Sequence, residues 1–321
     1  MTSAEKDRKI QRAMHGLYRW YLDRSQKNRD WNPDRSFAWN ELRQDHSENI
    51  LHILTGFYAV EQYTPDYTSE LVRLTRKNYG RGQFQLRWGA EEEKHADLWR
   101  NAVLFSGHRS ARWLEDYTED LRSQTWVPPF TKPAEMLIYT VVQERATQLN
   151  YMKLRERAVE ADDPVLAAAC RAIAIDEAAH YDFFLEGARL YLYYYPEESL
   201  IALVDVLRNF TMPASEIIPN YDGFITALYE ESVFGRLQYA REVVPVALKN
   251  LGVPSLKAIE KGLCRTREVP DPEGKMRGTA IWGDLIDQEF LEGALIRLFE
   301  KVESYQQEIG LDRYVEPLTL D

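Results

Sequence analysis

Six residues in this chain have the types and spacing needed to hold a pair of metal ions. Glu92 and His95 stand three apart in "GAEEEKHADLW", and Glu177 and His180 repeat that spacing in "AIDEAAHYDFF". Residues three apart on a helix share a face, so each unit can offer a carboxylate oxygen and an imidazole nitrogen to one point. Each unit also follows a helical stretch with one embedded glutamate: Glu61 is 31 residues before Glu92, and Glu144 is 33 before Glu177. The two halves keep similar offsets, 83 residues from Glu61 to Glu144 and 85 from Glu92 to Glu177. An antiparallel helix pair used twice would gather four carboxylates and two imidazoles inside a bundle, the ligand set of di-iron or di-manganese carboxylate centres. Four ionised carboxylates balance two divalent cations, and imidazole nitrogens suit iron.

Helix geometry leaves a choice within the glutamate triplet. Glu91 lies four residues before His95 and Glu92 three before it, so either can share its face; Asp176 and Glu177 offer the same choice before His180. Glu92 matches Glu177 in both spacing and chemistry, and the longer glutamate suits a bridging ligand better than aspartate. Glu91, Glu93 and Lys94 are therefore expected at the solvent or behind the ligands. His15, His46, His52 and His108 lack such partners, and His52 is expected to be structural.

The elements that must position these residues read as helices. Residues 1 to about 35 look like a short helical arm ending in the polar "NRDWNPDRSFAW". From about Arg43, apolar residues at Ile50, Leu51, Leu54, Phe57 and Tyr58 share a broad face with Glu61, and Pro65 is expected to kink this helix. Further helices are predicted at about Phe84–Phe105, Ala111–Leu121, from Pro133 to Glu160, from Pro164 to Tyr194, Glu198–Phe210, Asp222–Leu248 and Leu285–Glu308. The cleanest start signal is "ADDPVL", where Asp163 can cap and Pro164 suits the first helical position. No β-branched alternating run forces a sheet. The expected fold is all-α, a four-helix bundle with flanking helices in a single 1–321 domain, with a less recognisable extension over 242–321.

The 321 residues are 45% hydrophobic, enough for a substantial core. Forty basic against 51 acidic residues give a formal charge of -11, which argues against a general nucleic-acid binder. Arg73, Arg76, Lys77, Arg81 and Arg87 form a locally basic stretch, as do Lys153, Arg155 and Arg157. The two cysteines, Cys170 and Cys264, suggest neither a disulfide framework nor a Cys-based metal site. No window approaches the roughly 18 apolar residues of a spanning helix, and the N-terminus lacks the apolar centre of a signal peptide. A cytoplasmic protein with no membrane partner is expected.

Several motifs together resemble the soluble acyl-acyl carrier protein desaturases, the stearoyl-ACP desaturase family of the ferritin-like di-iron superfamily. "VEQYTPDY" resembles that family's first ligand helix, and "AEEEKHADLWRNAVLFSG" its first motif helix. "VVQERAT" is similar to its Gln-Glu-Arg-Ala-Thr, "AIDEAAHYDFF" to its Asp-Glu-x-x-His helix, and "FTMPASEIIPNYDG" to the segment after the bundle. The resemblance covers roughly residues 45–215. It implies a ferritin-like bundle with two iron ions on Glu61, Glu92, His95, Glu144, Glu177 and His180. It further implies a homodimer that desaturates an acyl chain on acyl carrier protein, using O₂ and electrons from reduced ferredoxin. By the same resemblance Thr147 lies near the oxygen-binding face, and Asp176 accepts a hydrogen bond from a ligand imidazole. Trp88 and Trp99 are candidates for an electron path or for packing.

The chain departs from that family in places. Lys94 stands where the family has arginine before the first motif histidine, and Ala178-Ala179 where it has Lys-Arg before the second. Glu70, Arg73, Met136 and Leu137 match the deep end of the acyl tunnel, where charge is unexpected. This leaves a shorter or bent tunnel, a different local helix register, or a related hydroxylase or N-oxygenase, as alternatives; a ferritin-like iron oxidase is a more distant one. The segment "CRTREVPDPEGKMRG" reads as a surface loop in preference to a partner-binding extension.

Overall fold

The computed structural model of the chain describes residues 1–263, 266–270, 274, 276–280 and 285–320. Its centre is four helices: α2 (Glu48–Glu61), α4 (Tyr79–Phe105), α6 (Pro133–Glu160) and α7 (Pro164–Tyr194). The start of α7 follows from its sequence: Asp163 Oδ1 accepts from the backbone N–H groups of Val165 and Leu166. Pro164 then occupies a position whose N–H has no helical partner. Pairing of α6 with α7 is the most extensive in the molecule, and the buried faces of all four helices merge into one apolar core.

Pro65 does more than kink its helix. The chain leaves α2 after Glu61 and restarts as α3 (Thr64–Thr75), with Pro65 in the first turn of the new helix. Proline offers no N–H and fits a helix start, so the break falls directly behind Glu61. Helix α4 begins earlier than its apolar pattern indicates, because Asn78 caps it by accepting from Arg81 N–H at 3.2 Å.

The N-terminal stretch forms a 26-residue helix, α1 (Ser3–Asn28), that lies against α4 and α7 and buries Ile10, Ala13, Met14, Leu17 and Tyr21. Its backbone comes so near α4 that a Cβ on Gly80 would stand 2.4 Å from the Met14 carbonyl carbon and the His15 nitrogen. Only glycine permits that approach.

Flanking elements complete the shell. α5 (Ala111–Arg122) precedes α6, α8 (Pro196–Asn209) packs on α6 and α7, and α9 (Tyr221–Glu230) packs on α2. The sequence predicts one helix across 222–248. Instead α9 stops where Ser232 takes a left-handed conformation (φ 55°). A single turn, α10 (Arg236–Gln238), then passes through a π-helical stretch into α11 (Val244–Asn250). α12 (Leu256–Leu263) follows, and α13 (Gln288–Glu308) starts at its Asp287 cap and packs on α1 and α7.

Within the segment expected as a loop, β1 (Thr266–Pro270) and β2 (Met276–Ala280) pair antiparallel with Thr266 opposite Ala280. Such a short ribbon lacks a long alternating pattern, so the sequence does not announce it. The bundle itself is all-α as expected. Cys170 is buried in α7, and Cys264 lies outside the described residues. Among the described residues no helix is long and apolar enough to cross a membrane. Gly80→Ala should lower stability by ~1–3 kcal/mol through forced separation of α1 from α4, seen as a lower urea midpoint with little change in slope.

Candidate metal centre

Each central helix brings one part of a buried polar cluster. Glu61 is the last residue of α2, Glu92 and His95 lie mid-α4, Glu144 mid-α6, and Glu177 and His180 mid-α7. All six are buried, although a core position is unusual for carboxylates. They fall into two overlapping sets whose ligand atoms lie within 4.8 Å of one another: Glu61, Glu92, His95 and Glu177, and Glu92, Glu144, Glu177 and His180. Glu92 and Glu177 belong to both sets, so these two carboxylates stand at the middle, with Glu61 and His95 on one side and Glu144 and His180 on the other.

Both imidazoles turn the same atom inward. His95 Nδ1 is 3.1 Å from Glu92 Oε2 and 3.6 Å from Glu177 Oε1. His180 Nδ1 is 3.0 Å from Glu92 Oε1 and 3.6 Å from Glu144 Oε2. The outward atoms are each held by the acid that precedes the other unit's glutamate: His95 Nε2 lies 3.3 Å from Asp176 Oδ2, and His180 Nε2 lies 2.9 Å from Glu91 Oε2. An imidazole that donates from one nitrogen keeps the other free as a ligand. The doublets Glu91-Glu92 and Asp176-Glu177 thus have a common logic, one acid facing the cluster and its neighbour serving the opposite histidine.

The sequence names Glu91 and Trp88 of this outer ring, but not Tyr21, Ser25, Trp31 or Tyr151. Glu91 is fully buried and also accepts hydrogen bonds from Tyr21 and Ser25 of α1 and from Arg87 Nε at 2.9 Å. Half-buried Trp31 donates from Nε1 to Asp176 Oδ2 at 2.9 Å and lies parallel to the His95 ring with centroids 6.0 Å apart. Tyr151 donates to Glu61 Oε1 at 2.8 Å, and Trp88 to Glu144 Oε1 at 3.0 Å. The repeated acid pair before each unit is the one sequence signal that points to Glu91. Tyr21, Ser25 and Trp31 carry none, because they are brought in from a distant helix and its following loop.

The remaining residues named from sequence fall into place unevenly. Thr147 sits one turn after Glu144 with its hydroxyl 3.2 Å from Glu177 Oε2, and also within reach of the Gln143 and Glu144 carbonyls. Trp99 stacks on Phe57 at 5.2 Å and has packing neighbours. Met136 and Leu137 are buried, whereas Glu70 and Arg73 pair with each other at 2.7 Å on the outer side of α3. Their charge therefore does not line an interior wall. Of the first basic stretch, Arg81 turns inward to the Pro133 carbonyl and the Tyr191 hydroxyl, and Arg87 to Ser25 and Glu91. Arg76 and Lys77 remain exposed. In the second stretch Lys153 and Arg157 pair with Glu156 and Glu160 on their own helix, and Arg155 is exposed.

A family model described as fatty acid desaturase matches residues 23–269. The chloroplastic stearoyl-acyl-carrier-protein 9-desaturase 6 of Arabidopsis thaliana is 33% identical over 171 residues, covering 50% of this chain and 44% of that protein. A chloroplastic stearoyl-acyl-carrier-protein 9-desaturase of Gossypium hirsutum is 32% identical over 196 residues, covering 57% and 48%. The chain spans about half the length of the curated relatives it matches. A solved structure of DesA2 from Mycobacterium tuberculosis H37Rv superposes with a TM-score of 0.55 at 18% identity. That superposition covers 78% of this chain and 98% of the other, a shared fold.

The cluster itself fits a pair of cations. Glu92 Oε1, Glu144 Oε2 and His180 Nδ1 are buried without a hydrogen-bond partner, an arrangement that is costly unless something positive lies among them. Burial, then the Glu92 carboxylate, pushes Glu61 well above the usual carboxylate range; burial, then Glu92 and Glu144, does the same to Glu177. Burial also opposes ionisation of Glu92, but His95 and His180 outweigh it and hold this residue down to about 2. For the imidazoles, burial alone would lower both, yet the surrounding acidic groups hold His95 and His180 well above the ordinary histidine value.

These shifts favour the protonated forms of Glu61, Glu177 and both histidines, whereas ligation requires carboxylate and neutral imidazole. Adding two equivalents of a divalent metal to the apo protein in weak buffer should acidify the solution, and apparent affinity should rise with pH. Calorimetry in buffers of different ionisation enthalpy reads the proton count; uptake with no proton release at neutral pH would contradict this account.

Proposed function

The chain belongs to the fatty acid desaturase family, matched over residues 23–269, and from that premise we propose that it is an O₂-dependent di-iron enzyme. Its reaction is insertion of a cis double bond into a saturated acyl chain carried on acyl carrier protein. The observation that carries this reading is the sharing of Glu92 and Glu177 between two buried ligand sets. Glu61 and His95 would hold one iron together with the shared pair, and Glu144 and His180 the other. The family resemblance adds a reduced ferredoxin as electron donor and a homodimer as the working form.

Two irons held in this basket would supply the oxidising power of O₂ which, with two electrons and two protons, removes one hydrogen from each of two neighbouring carbons and leaves two waters. The chain's own residues set the conditions. Asp176 and Glu91 fix both rings so that Nδ1 points inward. Tyr151 and Trp88 each restrain one oxygen of a terminal glutamate. Thr147 places a proton-bearing oxygen beside Glu177. Phe57, Trp99 and Tyr151 pack on one another behind Glu61 and keep bulk water from that end. Trp31, Asp176 and His95 form a hydrogen-bonded line from the half-buried periphery to the cluster, a route for electrons.

A hydroxylase or N-oxygenase was suggested by charge at the tunnel's end. With Glu70 and Arg73 paired on the outer side of α3, that reason lapses.

Anaerobic ferrous reconstitution should give two irons per chain. Turnover with ferredoxin, O₂ and a panel of acyl-carrier-protein substrates should give a product two hydrogens lighter by mass spectrometry; an oxygenated product instead would overturn the desaturase reading. Glu144→Ala and His180→Ala should each retain fewer than two irons and lose turnover, and full iron content in both would sink the ligand assignment. Acidic carrier protein needs a basic landing surface, for which exposed Arg76 and Lys77 are suited. Reversing both to glutamate should weaken carrier binding at least several-fold at low salt, with the deficit shrinking as salt is added.

A further inference from the structure

One side chain touches both halves of the outer ring. Arg29 follows α1 directly, and its side chain is only 10% exposed. Its Nε stands 3.1 Å from Asp176 Oδ1 and its Nη2 3.7 Å from Glu91 Oε2. Those two acids hold the Nε2 atoms of His95 and His180 respectively. The guanidinium also lies over the Tyr21 ring, 4.7 Å from its centroid, and Tyr21 itself donates to Glu91. Its backbone is anchored as well: the N–H donates to the Ser25 carbonyl, and the carbonyl accepts from Lys94 Nζ at 3.0 Å.

The other nearby cations serve one acid each. Arg87 bonds Glu91, and Lys94 lies 3.7 Å from Asp176. α7 contributes no cation here, since Ala178 and Ala179 precede His180 where the resembling family has Lys-Arg. A planar guanidinium with donors on several edges is suited to span two carboxylates in a way a single ammonium is not.

We propose that Arg29 is a positioning residue that braces Glu91 against Asp176, so that metal loading and the docking of α1 form one linked equilibrium. Orienting both imidazoles at once requires the two acids to hold a fixed separation, and Arg29 is the group that ties them. Since it is delivered by the end of α1, cation binding in the bundle draws that helix tight, and loosening the helix loosens both rings. This inference rests on the metal-centre reading above.

The test is an anaerobic Fe(II) titration against a competing chelator of full-length wild type, Arg29→Gln and Arg29→Lys. It is accompanied by amide exchange over α1 in the apo and loaded forms. Wild type that fails to take up two ions refutes the metal centre itself, independently of the variants. With two ions bound in wild type, loading should slow exchange in the second half of α1. Arg29→Gln should bind about tenfold or more weakly, the scale of such outer contacts, and lose that metal-induced protection. Arg29→Lys, which keeps the charge without the fork, should be intermediate. Should Arg29→Gln not fold, the lysine variant is read by the same two measures. Affinity within a factor of about three of wild type, or metal-induced protection of α1 that persists unchanged, overturns the proposal. So does a loss of apo thermal stability with the metal-induced rise in melting temperature intact, because that is what a merely structural arginine would give.

Discussion

Four carboxylates and two imidazoles share one dry interior, and this crowding governs the rest of the molecule. Removing a charged group from water costs on the order of several kcal/mol, and like charges a few ångströms apart add to that cost. The chain answers by alternating sign and by hydrogen bonding. Histidines stand between glutamates, Tyr151 and Trp88 cap the two terminal acids, and Asp176 and Glu91 take the outward imidazole nitrogens. Glu92 and Glu177, each lying in both ligand sets, are where a pair of cations would relieve the most repulsion.

This demand explains features of the fold that secondary-structure propensity does not. α2 ends at Glu61, and the chain restarts as the Pro65-led α3, which packs on α4 as α2 does. The N-terminal helix reads as an arm in sequence, yet its Tyr21 and Ser25 reach into the outer ring, and Gly80 lets its backbone come close enough to do so. Surface helices such as α3 carry their charge outward, as Glu70 and Arg73 show, and leave the interior to apolar and aromatic side chains.

Basic residues in the chain divide by where their charge is needed. Arg87 looks in sequence like part of a docking stretch, but its partners are Ser25 and Glu91. Arg81 supports a carbonyl and a tyrosine hydroxyl between helices. A run of positive residues along a helix alternates between faces, and only burial separates those that serve the core from Arg76 and Lys77, which remain available to a partner.

The amino-acid sequence by itself determined the central helices and the six clustered residues. Spacing of three within each Glu-x-x-His unit, the similar offsets to Glu61 and Glu144, and the Asp163-Pro164 start are local or periodic, and helix geometry turns them directly into shared faces. It also pairs Glu92 with Glu177 by symmetry. The cross-pairing of each outer acid with the opposite histidine, the entry of Tyr21, Ser25, Trp31 and Arg29, the break at Ser232 and the outward turn of Glu70 and Arg73 were decided by tertiary structure. Those depend on which distant helix lies across each face and at what height, and no period along one chain encodes the distance between two helices.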